Sequence, residues 1–498
     1  MNRYCVGLKC GVWNVVDSLA IELDGKTILT EADYKMYWNN LRAMAEWSST
    51  DVQKMGADAY LSPDDWVSMG FSSTASSSGD GFSNNNANMI ASPGLVPEGI
   101  QVAENTGFIS RVYNNPQPVS AISSGGAETG LNSYNWITTR SATATTIAQQ
   151  NGKGAFVTTG ATGAVAAAVA GQIAGTWYYM LKIRLVDLHP IFKQIDLMAN
   201  PQLKLRIRFN TGYSDIAWTG ATPPTMSLTS TMMNSGTTCP IMVASAVANN
   251  AMNTVLPATG TGSLRVAFGV LQNSQTTLAT AGNYFPFTTC RLMLPFYDIA
   301  NPTSIVSNPI KKAVFQDVYA QYFKQHAGIG ATATQQNATF NLQLSGSWKT
   351  IKYMALIPYS ETSSGHYASA SNVEQFQSPF DSAPRTCQAG SSIRNFQVQI
   401  GNDNVFSKTV DYDHEMFHGE FTKINALNGG LTHELSNGLV EFQKFSTVNR
   451  IMVADCSRIS NRDVPQSVVV SGVNGSCQGA NLLVLGIQCA SYKVCSSN

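Results

Sequence analysis

The stretch Val16-Asp17-Ser18-Leu19-Ala20-Ile21-Glu22-Leu23-Asp24-Gly25-Lys26-Thr27-Ile28-Leu29 decides the reading of this chain. Leu19, Ile21 and Leu23 alternate with Ala20 and Glu22, Asp24-Gly25 supplies a left-handed turn, and Lys26 to Leu29 run back. A tight hairpin over 19–29 is expected. Thr30 with Asp33 resembles a capping box, and Tyr34, Tyr37, Trp38, Leu41 and Ala45 recur at helical spacing, which predicts a helix over about 31–47.

Outward from this unit the text alternates between strands and polar excursions. From Gly70 to Gly175 it is Ser, Asn, Gly, Ala and Thr with hardly a charge, which predicts long ordered loops on a scaffold. Within it, Ala161 to Ala174 is too small-residued for a membrane span. Dense strands are expected between Thr176 and Phe209, ending in Leu203 to Phe209, where Lys204, Arg206 and Arg208 alternate with apolar residues. Tyr213 to Gly262 again reads as loop. A second β-rich half follows, with strands expected at 263–270, 289–297, 339–344, 350–358, 395–400, 448–454, 467–470 and 482–492. Tyr412 to Ala426 reads as a helix, and Lys311 to Gln325 as a third helix or a strand followed by one.

Arg184-Leu185-Val186-Asp187-Leu188-His189-Pro190 and Arg291-Leu292-Met293-Leu294-Pro295-Phe296-Tyr297-Asp298-Ile299-Ala300-Asn301-Pro302 are loosely alike, one in each half, as an Arg-Leu strand running into an acidic residue and a proline. Antiparallel sheets need facing partners, so the expected fold class is all-β, as two consecutive sandwiches with a few short helices. The division is expected at 1–255 and 256–498, with excursions at about 70–175 and 213–262 in the first half and at about 360–394 and 427–445 in the second.

Composition narrows the function. The 498 residues carry 31 Lys plus Arg against 31 Asp plus Glu, a formal net charge of zero, which disfavours a nucleic-acid coating protein. Charged residues are 12%, about half the usual share, so the surface is mostly uncharged and suited to packing against copies of itself. Met1 to Leu8 lacks the apolar run of a secretory signal, so export is not expected. The sequons at Asn337 and Asn474 then read as unmodified loop residues, and the nine cysteines, without a C-x-x-C pair, as reduced thiols.

The sharpest chemical motif is His414-Glu415-Met416-Phe417-His418, which on a helix puts two imidazoles one turn apart beside a carboxylate, as a zinc peptidase requires. The extended form fails at Phe421 and Ile424, which leaves only Glu434 or Glu441 as a third ligand. A plain surface helix is therefore expected, with the zinc peptidase as an alternative. His189, His326, His366 and His433 stand alone. Asn151-Gly152-Lys153-Gly154 lacks the rest of a phosphate loop and reads as a turn, and Lys204, Arg206 and Arg208 read as a solvated strand face. No catalytic residue, metal or cofactor is expected.

Several blocks resemble one family. Val16-Asp17-Ser18-Leu19 through Asp24-Gly25-Lys26, the aromatic helix and Pro63-Asp64-Asp65-Trp66 resemble the start of double jelly-roll major capsid proteins of the polinton and polinton-like virus group, relatives of virophage capsid and adenovirus hexon proteins. So do Trp177 to Gly212, with Leu181-Lys182-Ile183-Arg184-Leu185 and Asn200-Pro201; Ile351 to Tyr359, ending Leu356-Ile357-Pro358-Tyr359; and Phe396 to Asp463, with Asn428-Gly429-Gly430 and Asp455-Cys456-Ser457-Arg458. The resemblance implies two upright eight-stranded jelly rolls per chain and a homotrimer with a pseudo-hexagonal outline that tiles an icosahedral shell. It places the histidine helix in a connection of the second jelly roll and makes the polar excursions outer towers. It implies neighbouring capsomers, penton and minor capsid proteins as partners, leaves room for contact with an internal membrane, and places the protein in the virion. A trimeric spike protein for host attachment is the other binding-class reading.

Overall fold

The computed structural model describes residues 3–9, 11–61, 63, 90–91, 101–102, 137–138, 154–156, 175–177, 181–193, 195, 202–219, 225–233, 239–245, 261–268, 291–295, 300–301, 303, 310–326, 338–360, 375–377, 392–427, 438–442, 445, 449–459, 465–475 and 479–495. The strands of the first half are β1 (Arg3–Leu8), β2 (Val16–Leu23), β3 (Lys26–Glu31), the short β4 (Ile90–Ala91), β5 (Gln101–Val102), β6 (Ile137–Thr138), β7 (Gly154–Phe156) and β8 (Gly175–Trp177), then β9 (Leu203–Phe209), β10 (Gly212–Thr219), β11 (Thr225–Met233) and β12 (Ile241–Ser245). They continue as β13 (Thr261–Phe268), β14 (Ile310–His326), β15 (Thr339–Trp348), β16 (Ile351–Ser360), β17 (Ile393–Ile400), β18 (Asp403–Asn404), β19 (Met452–Asp455), β20 (Gln466–Asn474) and β21 (Ala480–Cys495). Among the described residues the α-helices longer than one turn are α1 (Trp38–Glu46), α2 (Ser49–Ala59) and α3 (His414–Leu427). The chain is all-β with a few short helices.

The last eight strands form two four-stranded sheets, β14-β21-β16-β19 and β15-β20-β17-β18. Counted within this half, the first strand pairs with the eighth, the second with the seventh, the third with the sixth and the fourth with the fifth, all antiparallel. That is one long hairpin rolled over on itself, which is a jelly roll. Alternation explains why it closes. Phe340, Leu342 and Leu344 on β15 are buried between exposed Thr339, Asn341 and Gln343, and Val468 and Val470 on β20 follow the same rule. In β16 and β21 both faces are buried, as the unbroken runs Tyr353–Tyr359 and Leu482–Ile487 show. The outer face that would otherwise meet water is covered in part by α1, whose Trp38 donates to the Tyr353 hydroxyl.

The first half follows part of the same plan. Asp24 and Gly25 sit at φ 48° and 77°, closing the β2–β3 hairpin. β9 lies on the other side of β2, giving the order β3-β2-β9. β18-β17-β20 has the same spatial order: a hairpin followed in sequence by a helix, with a later strand beside the hairpin's first arm, although here β19 intervenes and joins the other sheet. The likeness between the halves lies in the hairpin and helix at 16–59 and at 393–427. The Arg-Leu stretches are not a repeat: Leu185–Leu188 is one helical turn, whereas Arg291–Pro295 is an exposed segment outside any ladder. β13 reaches back across residue 255 to pair with β10.

Other sequence expectations need correction. Thr30 ends inside β3, so the first helix starts as a 3₁₀ turn at Asp33–Tyr37 without a side-chain cap, and α1 follows. The true capping box is Ser48 with Asp51: the Ser48 N–H donates to Asp51 Oδ2 at 2.9 Å and the Asp51 N–H donates back to Ser48 Oγ at 3.2 Å. It opens α2, which the hydrophobic pattern does not suggest. Between 176 and 209 a helical turn and the 3₁₀ segment Pro190–Lys193 replace most of the expected strands. Tyr213 to Gly262, read as loop, holds β10, β11 and β12, because its Thr, Ser and Met residues pair readily in ladders. Lys311 to Gln325 is no helix. It pairs along its length with β21, from Ile310 opposite Cys495 to His326 opposite Ala480, and that ladder overrides local propensity. Asn474 is a fully buried strand residue, not a loop.

Two apolar cores meet at a shared seam. One fills the second jelly roll and takes in Tyr37, Trp38, Leu41 and Met44; the other lies in the first half and takes in Phe315 and Leu439. Each half thus inserts side chains into the other.

Candidate functional site

The His414–His418 segment lies on a helix, as its spacing predicts, in the connection from β18 to β19. Asp413 caps it, its Oδ1 accepting the Met416 N–H at 2.9 Å. Phe417 and Phe421 face inward and stack with Phe445 in one buried column, ring centres 4.7 and 4.6 Å apart. The His414 ring leans edge-on against Phe442 and Phe445, and burial followed by the neighbouring His418 lowers its pKa. The two imidazoles lie with centres 6.2 Å apart and planes inclined by 30°, and Glu415 is exposed to solvent. His433 and Glu434 lie outside the described residues, and among those described no third His, Cys, Asp or Glu joins this pair at ligand distance.

The residue that works hardest on α3 is Glu420, which no sequence motif marks. It is buried, its Oε2 accepts the Asp455 N–H at 2.7 Å, and its Oε1 takes Lys423 at 3.1 Å and Arg458. Tyr412 closes the other end: its hydroxyl donates to the Val453 carbonyl at 2.6 Å and accepts the Val453 N–H at 2.8 Å. Both tie the helix to the β19 edge. We expect Glu420→Ala to cost about 2–4 kcal/mol, the lower end because Arg458 is part-exposed. Replacing His414 and His418 together with Ala should cost about 1 kcal/mol or less and leave the metal content of purified protein unchanged. Calorimetry beside elemental analysis checks both. One zinc per chain, lost in the double variant, would restore the peptidase reading.

The basic strand face is largely offset on the sheet itself, three cations sharing two carboxylates. Lys204 and Arg206 pair with Glu22 at 3.2 and 3.0 Å, and Arg208 pairs with Asp17 at 3.3 Å. Such pairing leaves little net field to attract a phosphate backbone. Lys153 and His366 lie outside the described residues, as does the side chain of His326.

His189, solitary in sequence, is not so in space. Its Nε2 stands 3.3 Å from Glu31 Oε1, both side chains essentially fully buried, and Asp317 completes a group whose ligand-type atoms lie within 4.8 Å of one another. Trp38 and Phe315 wall the imidazole edge-on. β3, the 185–193 turn and β14 supply one member each, so only the fold brings them together.

The seam between the halves is the most elaborated surface. Tyr34, Tyr37, Tyr322 and Tyr359 surround Phe376 with ring centres 4.9 to 6.1 Å from it. The Leu439 N–H donates to the Met44 carbonyl at 2.8 Å, and the Cys239 N–H donates to the Phe376 carbonyl at 2.7 Å. On the outside, Leu292, Met293 and Leu294 are 55%, 78% and 48% exposed in one row. No helix of the described residues is long and apolar enough to cross a membrane.

No family model and no curated protein matches this chain. Solved structures do. VP54 of PBCV-1, fitted into a cryo-EM reconstruction of the virophage Sputnik, aligns over 99% of this chain and 87% of its own at 8% identity, TM-score 0.34. The PBCV-1 virus capsid aligns over 99% and 87% at 8% identity, TM-score 0.32, and the Sputnik virophage structure over 100% and 80% at 8% identity, TM-score 0.32. These three structures come from PBCV-1 and the virophage Sputnik.

Proposed function

We propose that this chain is a non-enzymatic major capsid subunit: a double jelly-roll protein, its first unit running past residue 255 to include β13, that assembles as a homotrimer and tiles an icosahedral shell. The observation that carries the reading is the closed eight-stranded jelly roll of β14 to β21 in one half, together with a hairpin followed by a helix and the like strand order β3-β2-β9 in the other. Two like sandwiches per chain give six around a threefold axis, and a six-cornered block tiles a flat facet. The seam supports this, because two sandwiches packed through shared side chains move as one block.

The surface fits the same role. With 12% charged residues and zero net charge, copies approach without repulsion, and the exposed Leu292–Leu294 row favours contact with another copy. Neighbouring capsomers, penton and minor capsid proteins would be the partners and the virion the location. Light scattering on the purified protein after size exclusion should give a species of three chains. A well-folded monomer at micromolar concentration would count against it.

A further inference from the structure

Glu31 ends β3 inside the protein with neither carboxyl oxygen hydrogen-bonded among the described residues, and His189 Nε2 is in the same position although it lies only 3.3 Å from Glu31 Oε1. Buried polar atoms are seldom left this way, because removing them from water without a partner costs several kcal/mol for a charged group. Either an ion or a proton belongs here.

The imidazole decides between them. His189 Nδ1 accepts the Ile191 N–H at 3.0 Å, which fixes the ring orientation and requires a lone pair on Nδ1. A neutral ring then carries its hydrogen on Nε2, toward Glu31. A histidine that ligates a metal through Nε2 has its hydrogen on the other nitrogen and donates it, which the Ile191 N–H forbids. The tautomer therefore excludes a metal held by Nε2 and places an N–H opposite a carboxyl group.

We propose that Glu31 holds a proton of its own against the neutral His189 as a buried clasp beside Asp317, and that loss of this proton, which puts a second carboxylate charge next to Asp317 inside the protein, loosens the seam between the first half and the second jelly roll. The charged neighbours are few and come from every element packed there. Lys35 lies on the 3₁₀ turn, Arg42 on α1 and Asp317 on β14. Arg42 is engaged elsewhere, donating to the Val186 carbonyl at 2.8 Å and pairing with Glu46 at 3.5 Å. Asp317 accepts the Val318 N–H at 2.8 Å. No cation among the described residues is therefore committed to Glu31.

Burial, then Asp317, pushes Glu31 up to about 8; burial, then Arg42 and Lys35, pushes His189 down to about 3. Between these limits Glu31 keeps its proton and His189 stays neutral. An unfolded Glu has already lost its proton above about 4.5, so the folded state holds one that the unfolded state does not, and stability falls as pH rises toward 8. The clasp loosens on the alkaline side. His189 acts in the opposite sense and only in acid, between about 6.5 and 3, where the unfolded state alone takes up a proton.

The test is thermal unfolding of the full-length protein from pH 6 to 9, as wild type, Glu31→Gln and Asp317→Asn, with and without EDTA or added zinc. Glu31→Gln keeps an acceptor for Nε2 and cannot ionise. The wild-type midpoint should drop by roughly 4 °C more than that of Glu31→Gln over this range. In Asp317→Asn the decline should end at lower pH, because the negative neighbour is gone. Should Glu31→Gln not fold, hydrogen exchange of the wild type decides: protection in 310–326, corrected for the intrinsic rate, should fall roughly tenfold or more from pH 6 to 9. Parallel pH curves for wild type and Glu31→Gln, unchanged protection, or a zinc-dependent rise in midpoint that Glu31→Gln abolishes would overturn the clasp. The outcome does not depend on whether the chain builds a shell.

Discussion

Trp38→Ala should destabilise the protein by about 3–5 kcal/mol, a larger loss than for Glu420→Ala, because this side chain serves both halves. It begins α1, is 1% exposed, and belongs to the core of the second jelly roll although it comes from the first half. Its Nε1 donates to the Tyr353 hydroxyl at 3.3 Å, its face carries the Arg42 guanidinium 5.4 Å from the ring centre, and its edge meets His189 at 5.7 Å. Removing it opens a large void and strips the buried Tyr353 of a hydrogen-bond donor. Trp38→Phe keeps most of the packing and should cost about 1–2 kcal/mol. Calorimetry should also show a single wild-type transition that splits in Trp38→Ala as the halves uncouple. A loss under about 1 kcal/mol would mean that α1 merely rests against the second jelly roll.

Gly438→Ala tests the seam from the other side. Gly438 has φ 62°, and a Cβ there would stand 1.7 Å from the Met44 carbonyl oxygen at the end of α1. Left-handed backbone costs an alanine about 1–2 kcal/mol, and the overlap with main chain forces a shift costing about 1–3 more. The Leu439 N–H bond to that same carbonyl would go with it. Gly25→Ala is the control: its φ is 77°, but nothing lies within 4 Å of the added carbon, so only the backbone cost of about 1–2 kcal/mol applies. Denaturant titration of the two variants measures the difference. Equal losses would show that the close approach of Gly438 to Met44 is unimportant.

What is legible in the sequence is what alternates. The β2–β3 hairpin, β15, β17, β20 and α3 lie near their expected positions because each buries one face or turns at a glycine, and β16 does so because its unbroken apolar run has the length of a strand. β14 is ambiguous for a physical reason: Lys311, Lys312, Gln316, Asp317, Gln321 and Lys324 space their polar groups as a helix would, and only β21 alongside makes them a strand. The Ser48–Asp51 capping box stands in plain text and marks the start of α2. The clasp does not show. Glu31, His189 and Asp317 are far apart in sequence, and nothing local to any of them signals the others; the histidine motif that does announce itself, at 414–418, is a packed helix end.

Electron microscopy of the purified protein tests most directly whether two like sandwiches stand side by side in each chain, so that three chains present six. Top views with a hexagonal outline and six β-sandwich densities around a threefold axis are expected. Particles with one sandwich per chain, or chains whose two sandwiches point in unrelated directions, would contradict the proposed capsomer.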